Sequence, residues 1–158
     1  MNQIAAMFHN VRSAYNVGAL LRTADGAGVS QIFLTGYTPT PLDRFGRLQK
    51  EIVKTALGAE KMVPWKYAKH PARIIKRLRE EGWAIVGVEQ DVRAKDYRAL
   101  KIKKPTLFIF GSEVRGLSKA RRDQCDQLIE IPMRGTKESL NVSVAAGIIL
   151  FSAGGGSA

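Results

Sequence analysis

Three polar stretches carry most of the side chains with the chemistry to act on a substrate. In the first, residues 10–24, Asn16 precedes Arg22 by six residues, and Arg22 has Leu20, Leu21 and Ala24 as apolar neighbours. Arginine is seldom buried without a partner, so Arg22 either grips an anion or snorkels to solvent, and spacing alone does not separate the two. Asn16 suits a helix N-cap. The second stretch reads Phe110-Gly111-Ser112-Glu113-Val114-Arg115-Gly116-Leu117-Ser118. Gly111 permits a bend, or the approach of a ligand where a Cβ would intrude; Glu113 near Arg115 suits a site carboxylate or an ion pair within the loop. The third, residues 129–147, contains Pro132, Met133, Ser139 and Asn141. Pro132 ends a strand, Ser139 or Asn141 can cap the helix that follows, and Ala145, Ala146 and Gly147 let that helix pack closely.

Other chemistries find less support. No Gly-Lys-Ser/Thr follows Gly111, and no Gly-x-Gly-x-x-Gly turn is present, which disfavours a phosphate-cradling ATPase or a dinucleotide fold. The single cysteine, Cys125, cannot form an internal disulfide, and two histidines without paired cysteines give no zinc spacing, so no metal is expected. Cys125, among charged residues, is expected to be a packed side chain rather than a nucleophile.

Such stretches need a scaffold, and the apolar pattern supplies one. Strands expected over 4–8, 32–35, 83–88, 106–110 and 128–131 alternate with helices over 17–27, 72–81 and 141–152. That order reads as α/β, a mainly parallel sheet flanked by helices. Gly26 and Gly28 close the first helix and Gly82 the second, while residues 37–47, with Pro39, Pro41 and Gly46, form a loop too long for a simple connector. In open sheets of this kind ligands gather beyond the carboxyl ends of strands, where all three polar stretches fall.

Length and charge narrow the partners. The 158 residues suit one domain over 1–153, with a flexible Gly-rich tail at 154–158. A formal charge of +11 points to nucleic acid or an anionic membrane. The longest apolar runs fall far short of the roughly 20 residues that span a bilayer, and residues 1–3 do not open a secretory signal, so a cytoplasmic protein without a membrane partner is expected. Residues 66–104 hold 12 basic and 5 acidic side chains. They form either a solvated helical face or a surface for a polyanion.

Taken together, Asn16-x-Gly18-x-x-x-Arg22-Thr23-Ala24, Gly111-Ser112-Glu113-x-x-Gly116-Leu117, and Ile131-Pro132-Met133 followed by Ser139-Leu140-Asn141-Val142-Ser143-Val144-Ala145 resemble the SpoU (TrmH) family of the SPOUT superfamily. These are RNA ribose 2′-O-methyltransferases, and the resemblance covers almost the whole chain. It implies a C-terminal deep trefoil knot, an exception to the usual unknotted chain, a homodimer, and S-adenosylmethionine held in the knot loops by the backbones around Gly111, Ile131, Met133 and Leu140. It places Asn16, Arg22, Glu113, Ser139 and Asn141 at the reaction centre, with Glu113 and Asn141 orienting Arg22 and the ribose. A guanidinium with a pKa above about 12 is a poor base, so Arg22 is expected to position the hydroxyl and an adjacent phosphate.

RNA contacts are expected from Arg12, Arg44, Arg47 and Arg115 together with the basic middle segment. Tyr15, Tyr37 and Phe45 would stack on an unpaired base or sit partly buried in their loops. tRNA is the favoured substrate and rRNA the alternative. The rivals are a non-catalytic RNA-binding or ribosome-assembly protein of the same fold, and a base methyltransferase. The N-terminal recognition domain that several relatives carry is expected to be absent.

Overall fold

A computed structural model describes residues 2–154. Its strands are β1 (Ile4–His9), β2 (Gln31–Thr35), β3 (Trp65–Ala68), β4 (Ala84–Val88), β5 (Lys95–Asp96), β6 (Thr106–Phe110) and β7 (Gln127–Glu130). They form one seven-stranded sheet in the order β3-β2-β1-β6-β4-β7-β5, every neighbouring pair parallel. The chain thus lays β6 between β1 and β4, and β7 between β4 and β5.

A parallel sheet must be covered on both faces, and the alternation along β1 does this. Ile4, Ala6 and Phe8 join Leu34, Phe108 and Ile129 under α1 (Ala14–Gly26), α2 (Lys50–Ala56) and α5 (Val142–Gly154). Ala5 and Met7 point the other way, joining Phe33, Leu107 and Ile109 under Ile74, Ile75 and Leu78 of α3 (Ala72–Glu80), and a short α4 (Lys119–Asp123) leads into β7. Gly82, at φ +89°, closes α3 as expected.

Two local expectations need correction, and one open choice is resolved. Asn16 is not the N-cap of α1: Ser13 is, accepting the Asn16 N–H at 3.1 Å, which leaves the Asn16 amide free for a tertiary contact. Of the two candidate caps for α5, Asn141 takes the role, its Oδ1 accepting the Ser143 N–H at 2.8 Å. Gly154, assigned to the tail from sequence, is the last residue of α5; the rest of the expected flexible tail, 155–158, lies outside the described residues.

Gly18 lets α1 and α2 touch backbone to backbone. A Cβ there would lie 1.9 Å from Thr55 Oγ1 and 2.3 Å from the Ile52 carbonyl oxygen, and the Thr55 hydroxyl donates to the Tyr15 carbonyl at 2.9 Å. Gly18→Ala is expected to destabilise the fold by about 1–3 kcal/mol, visible as a lower midpoint in urea with an unchanged slope. Cys125 is packed as expected: its Sγ donates to the Arg121 carbonyl at 3.3 Å, and burial, reinforced by Asp126, pushes the thiol up to about 11.

Candidate active site

A cleft of about 280 Å³ opens beyond the carboxyl ends of β4, β6 and β7. The second stretch contributes Gly111, Glu113 and Arg115, and the third contributes Ile131, Met133, Ser139 and Leu140. Val88, Glu89 and Gln90, at the end of β4, complete the lining. Sequence reasoning passed over these three, although the strand-end rule applied to the run at 84–88 points to them.

The second stretch is folded tightly on itself. Ser112 and Gly116 exchange backbone hydrogen bonds at 3.2 and 2.9 Å, and the Ser112 hydroxyl accepts the N–H groups of Val114 and Arg115. A Cβ on Gly111 would meet the Gly116 carbonyl carbon at 2.3 Å, so the glycine serves the loop's own return rather than open space for a ligand.

Glu113 joins this loop to the first stretch. Its Oε2 accepts the Arg12 N–H at 3.0 Å, and its Oε1 accepts the Ser13 N–H at 3.1 Å and the Asn16 side-chain amide at 3.3 Å. It forms no ion pair with Arg115 and no ion pair or hydrogen bond with Arg22 among the described residues. Partial burial works against its charged form, but the N–H donors of Arg12, Glu113 itself and Ser13, with the Asn16 amide, outweigh it and hold the pKa below the ordinary value. A depressed carboxylate pKa contributes stability that is present above the unfolded value, near 4.3, and lost as pH falls through the folded one. Glu113→Gln is therefore expected to flatten the acid limb of a plot of Tm against pH below about pH 5.

The remaining candidates are dispersed. Asn141 caps α5 beside the cleft residue Leu140. Arg22 is exposed on α1, lies outside the cleft lining, and makes no ion pair or side-chain hydrogen bond among the described residues. The Arg12 side chain is exposed. Arg44 and Arg47 sit 4.8 and 4.9 Å from the centroid of the exposed Phe45 ring, on a loop where Asp43 accepts from Phe45 and Arg47. That loop adjoins the first stretch through Asn10, whose Oδ1 accepts the Tyr37 N–H at 3.1 Å. Tyr15 and Tyr37 are exposed at 64% and 60%, which excludes the partly buried alternative.

The basic middle segment divides by pairing. Arg77, Arg79, Arg93 and Arg98 face Glu81, Asp126, Asp91 and Asp96. Lys66, Lys69, Arg73 and Lys76 have no such partner among the described residues. No helix of the described residues is long and apolar enough to cross a membrane.

The family described as "SpoU rRNA Methylase family" matches residues 3–151. The chain is 39% identical over 143 residues to the 23S rRNA (guanosine-2′-O-)-methyltransferase RlmB of Vibrio parahaemolyticus, covering 90% of this chain and 55% of that protein. It thus spans little more than half the length of the curated relatives it matches. Among solved structures, the AdoMet-bound rRNA methyltransferase of Sinorhizobium meliloti superposes with a TM-score of 0.86 at 30% identity, covering 95% of this chain and 55% of that one. The A. aeolicus TrmH/SpoU tRNA modifying enzyme superposes with a TM-score of 0.84 at 27% identity, covering 98% and 75%.

Proposed function

The chain belongs to the SpoU rRNA methylase family, and from that premise we propose that it transfers a methyl group from S-adenosylmethionine (AdoMet) to a ribose 2′-hydroxyl of RNA. The observation that carries this reading is the meeting of the second and third stretches around one cleft, with Glu113 tying the first to them. The residues present fit the cofactor. Phe110, Ile131, Leu140, Val142 and Ala145 offer an apolar slot for adenine, and Gly111 and Met133 complete the hold. Glu113, Glu130 and Glu138 outnumber Arg115, which suits a group bearing a sulfonium and an ammonium.

AdoMet bound there supplies an electrophilic methyl. The protein's task is to align the ribose oxygen with it, and alignment is worth about 7–11 kcal/mol in favourable cases. Arg22 orients the hydroxyl and the neighbouring phosphate and stabilises negative charge growing on the oxygen. Ser139 at the cleft and Asn141 beside it orient the ribose, while Asn16 acts through Glu113.

Arg22 lies outside its own cleft, and we assign it to the cleft of a second copy. α5 leaves Val144 and Phe151 exposed at 49% and 54%, an apolar surface of the kind that marks an interface. Gly26, one helical turn beyond Arg22, faces the Phe151 ring, 3.2 Å from where its Cβ would be. A homodimer closing on this face covers the apolar surface and brings Arg22 to its partner. Phe151→Asp is expected to yield monomers in sedimentation and to lose methyl transfer; a stable dimer would overturn the assignment.

Exposed Arg12, Arg44, Arg47 and Arg115, with Lys66, Lys69, Arg73 and Lys76, form the RNA grip, and Tyr15, Tyr37 and Phe45 offer stacking surfaces. Ribosomal RNA is the substrate class we favour, in place of the tRNA preference expected from sequence, because the curated relatives aligned over nine-tenths of this chain are named for 23S rRNA. A trefoil knot formed by the C-terminal segment belongs to the same proposal, supported by the placement of β6 and β7 between earlier strands. The test is methyl transfer from labelled AdoMet to separated rRNA and tRNA, followed by nuclease digestion. A labelled 2′-O-methylnucleoside from rRNA is expected. Label on tRNA restores the tRNA preference, label on a base identifies a base methyltransferase, and RNA binding without transfer identifies a non-catalytic protein.

A further inference from the structure

We propose that Glu89 and Gln90, directly after β4, are positioning residues that bracket the cleft by tying its two loops to the sheet, an inference that rests on the AdoMet reading above. Glu89 is itself fixed: its N–H donates to the Ile129 carbonyl of β7 at 3.0 Å. Its carboxylate then reaches into the second loop, where Oε2 accepts the Leu117 N–H at 2.7 Å, while Oε1 accepts the Gln90 N–H at 3.0 Å. Gln90 reaches the other way, its Nε2 donating to the Glu138 carbonyl in the third loop.

Each tie does something the loops do not do for themselves. The second loop's internal bonds, between Ser112 and Gly116, close it on itself, and Glu113 ties it to the first stretch, but neither joins it to the end of β4. Leu117, only 3% exposed, is where the loop re-enters the core, and an amide there without an acceptor would be left unsatisfied. Gly116 is matched to the carboxylate: it holds φ +60°, and a Cβ on it would lie 1.9 Å from Glu89 Oε2. A glycine at 116 and a glutamate at 89 are thus one fitted unit. In the third loop, Gln90 makes the one hydrogen bond that residues 132–140 receive or give among the described residues. Ser139 and Leu140, which line the cleft, therefore take their place from Glu138 and hence from Gln90.

These bonds set the width of the cofactor cleft without touching the reacting atoms. Losing either should weaken cofactor binding and leave the chemical step intact, whereas a merely structural role would lower stability and all kinetic constants together.

The experiment uses the full chain with Glu89→Ala, Glu89→Gln and Gln90→Ala, read by AdoMet calorimetry, steady-state kinetics, Tm and hydrogen exchange. Glu89→Ala is expected to speed exchange of the Leu117 amide at least tenfold and to raise KM for AdoMet by about tenfold, with kcat at saturating AdoMet within about threefold of wild type. Glu89→Gln, which keeps one acceptor for Leu117, should fall between. Gln90→Ala should raise KM while leaving Leu117 exchange unchanged. The bracket is overturned by wild-type AdoMet binding with KM unchanged in the variants, or by kcat and KM worsening in step with Tm. A wild type that binds no AdoMet overturns the cofactor reading and the bracket with it.

Discussion

Arg22→Ala is expected to lower methyl transfer by about 10²–10³-fold, the usual cost of removing a donor that stabilises charge at a reacting oxygen. The fold should be untouched, because the side chain is exposed and makes no ion pair or hydrogen bond among the described residues, and surface changes of this kind usually shift stability by no more than about 0.5 kcal/mol. AdoMet affinity, measured by calorimetry, should change far less than activity, because Arg22 is assigned to the ribose hydroxyl and phosphate of the RNA rather than to the cofactor. Arg22→Lys should rescue little: an ammonium keeps the charge but lacks the planar fork that engages a hydroxyl and a phosphate together. Mixing Arg22→Ala with a chain defective in its cleft but intact at Arg22 should restore part of the activity, because one of the two sites in each mixed dimer then has a sound cleft and a sound arginine. Near-normal methylation by Arg22→Ala would remove Arg22 from the reaction centre.

The second large effect is expected at Gly111. A Cβ there would lie 2.3 Å from the Gly116 carbonyl carbon, 2.5 Å from its oxygen and 2.6 Å from the Leu117 nitrogen. All three are backbone atoms, so no side chain can swing away and the loop itself must open. A strain of about 1–3 kcal/mol, falling on the loop that lines the cleft, corresponds to roughly a 5- to 150-fold loss of AdoMet affinity. Gly135→Ala is the control, because a Cβ at 135 meets nothing within 4 Å and its backbone carries no positive φ. Equal affinity in the Gly111→Ala and wild-type proteins would mean that the loop tolerates opening and does not shape the cleft.

The elements legible in sequence were those whose burial is written in their own residues. β1 and β6 are unbroken apolar runs because both sheet faces are covered, and α3 shows Ile74, Ile75 and Leu78 at helical spacing among charges. β3 and β5 escaped notice for the opposite reason: they are edge strands, the first half exposed with Lys66 and Tyr67, the second only Lys95–Asp96, and both owe their pairing to a neighbour rather than to an apolar pattern. α2 buries only Ile52 and Ala56, too few to display a period.

The site divides in the same way. Glu113 was visible by residue type, but its partners are mostly backbone N–H groups of Arg12 and Ser13, about a hundred positions away, and backbone donors leave no trace in a sequence. Asn16 looked like a cap because Asn caps helices; Ser13, three residues earlier, had an equal claim, and the tertiary contact to Glu113 is what Asn16 makes instead. Glu89 and Gln90 drew no attention since nothing marks a strand-end pair as a tie until both loops are in place.

The slotting of β6 and β7 between strands made earlier also sets an order of events for a chain leaving the ribosome. β1, β2 and β3 pair in sequence as they emerge, but β4 has neither of its neighbours when residues 84–88 appear. It must wait unpaired until residues 106–110 and 127–130 arrive to flank it, and β5 waits for β7 as well. Late, non-local insertion of this kind makes folding slow and leaves apolar edges open to wrong partners in the interval. The cleft, built on the ends of β4, β6 and β7, is consequently the last part of the molecule to exist.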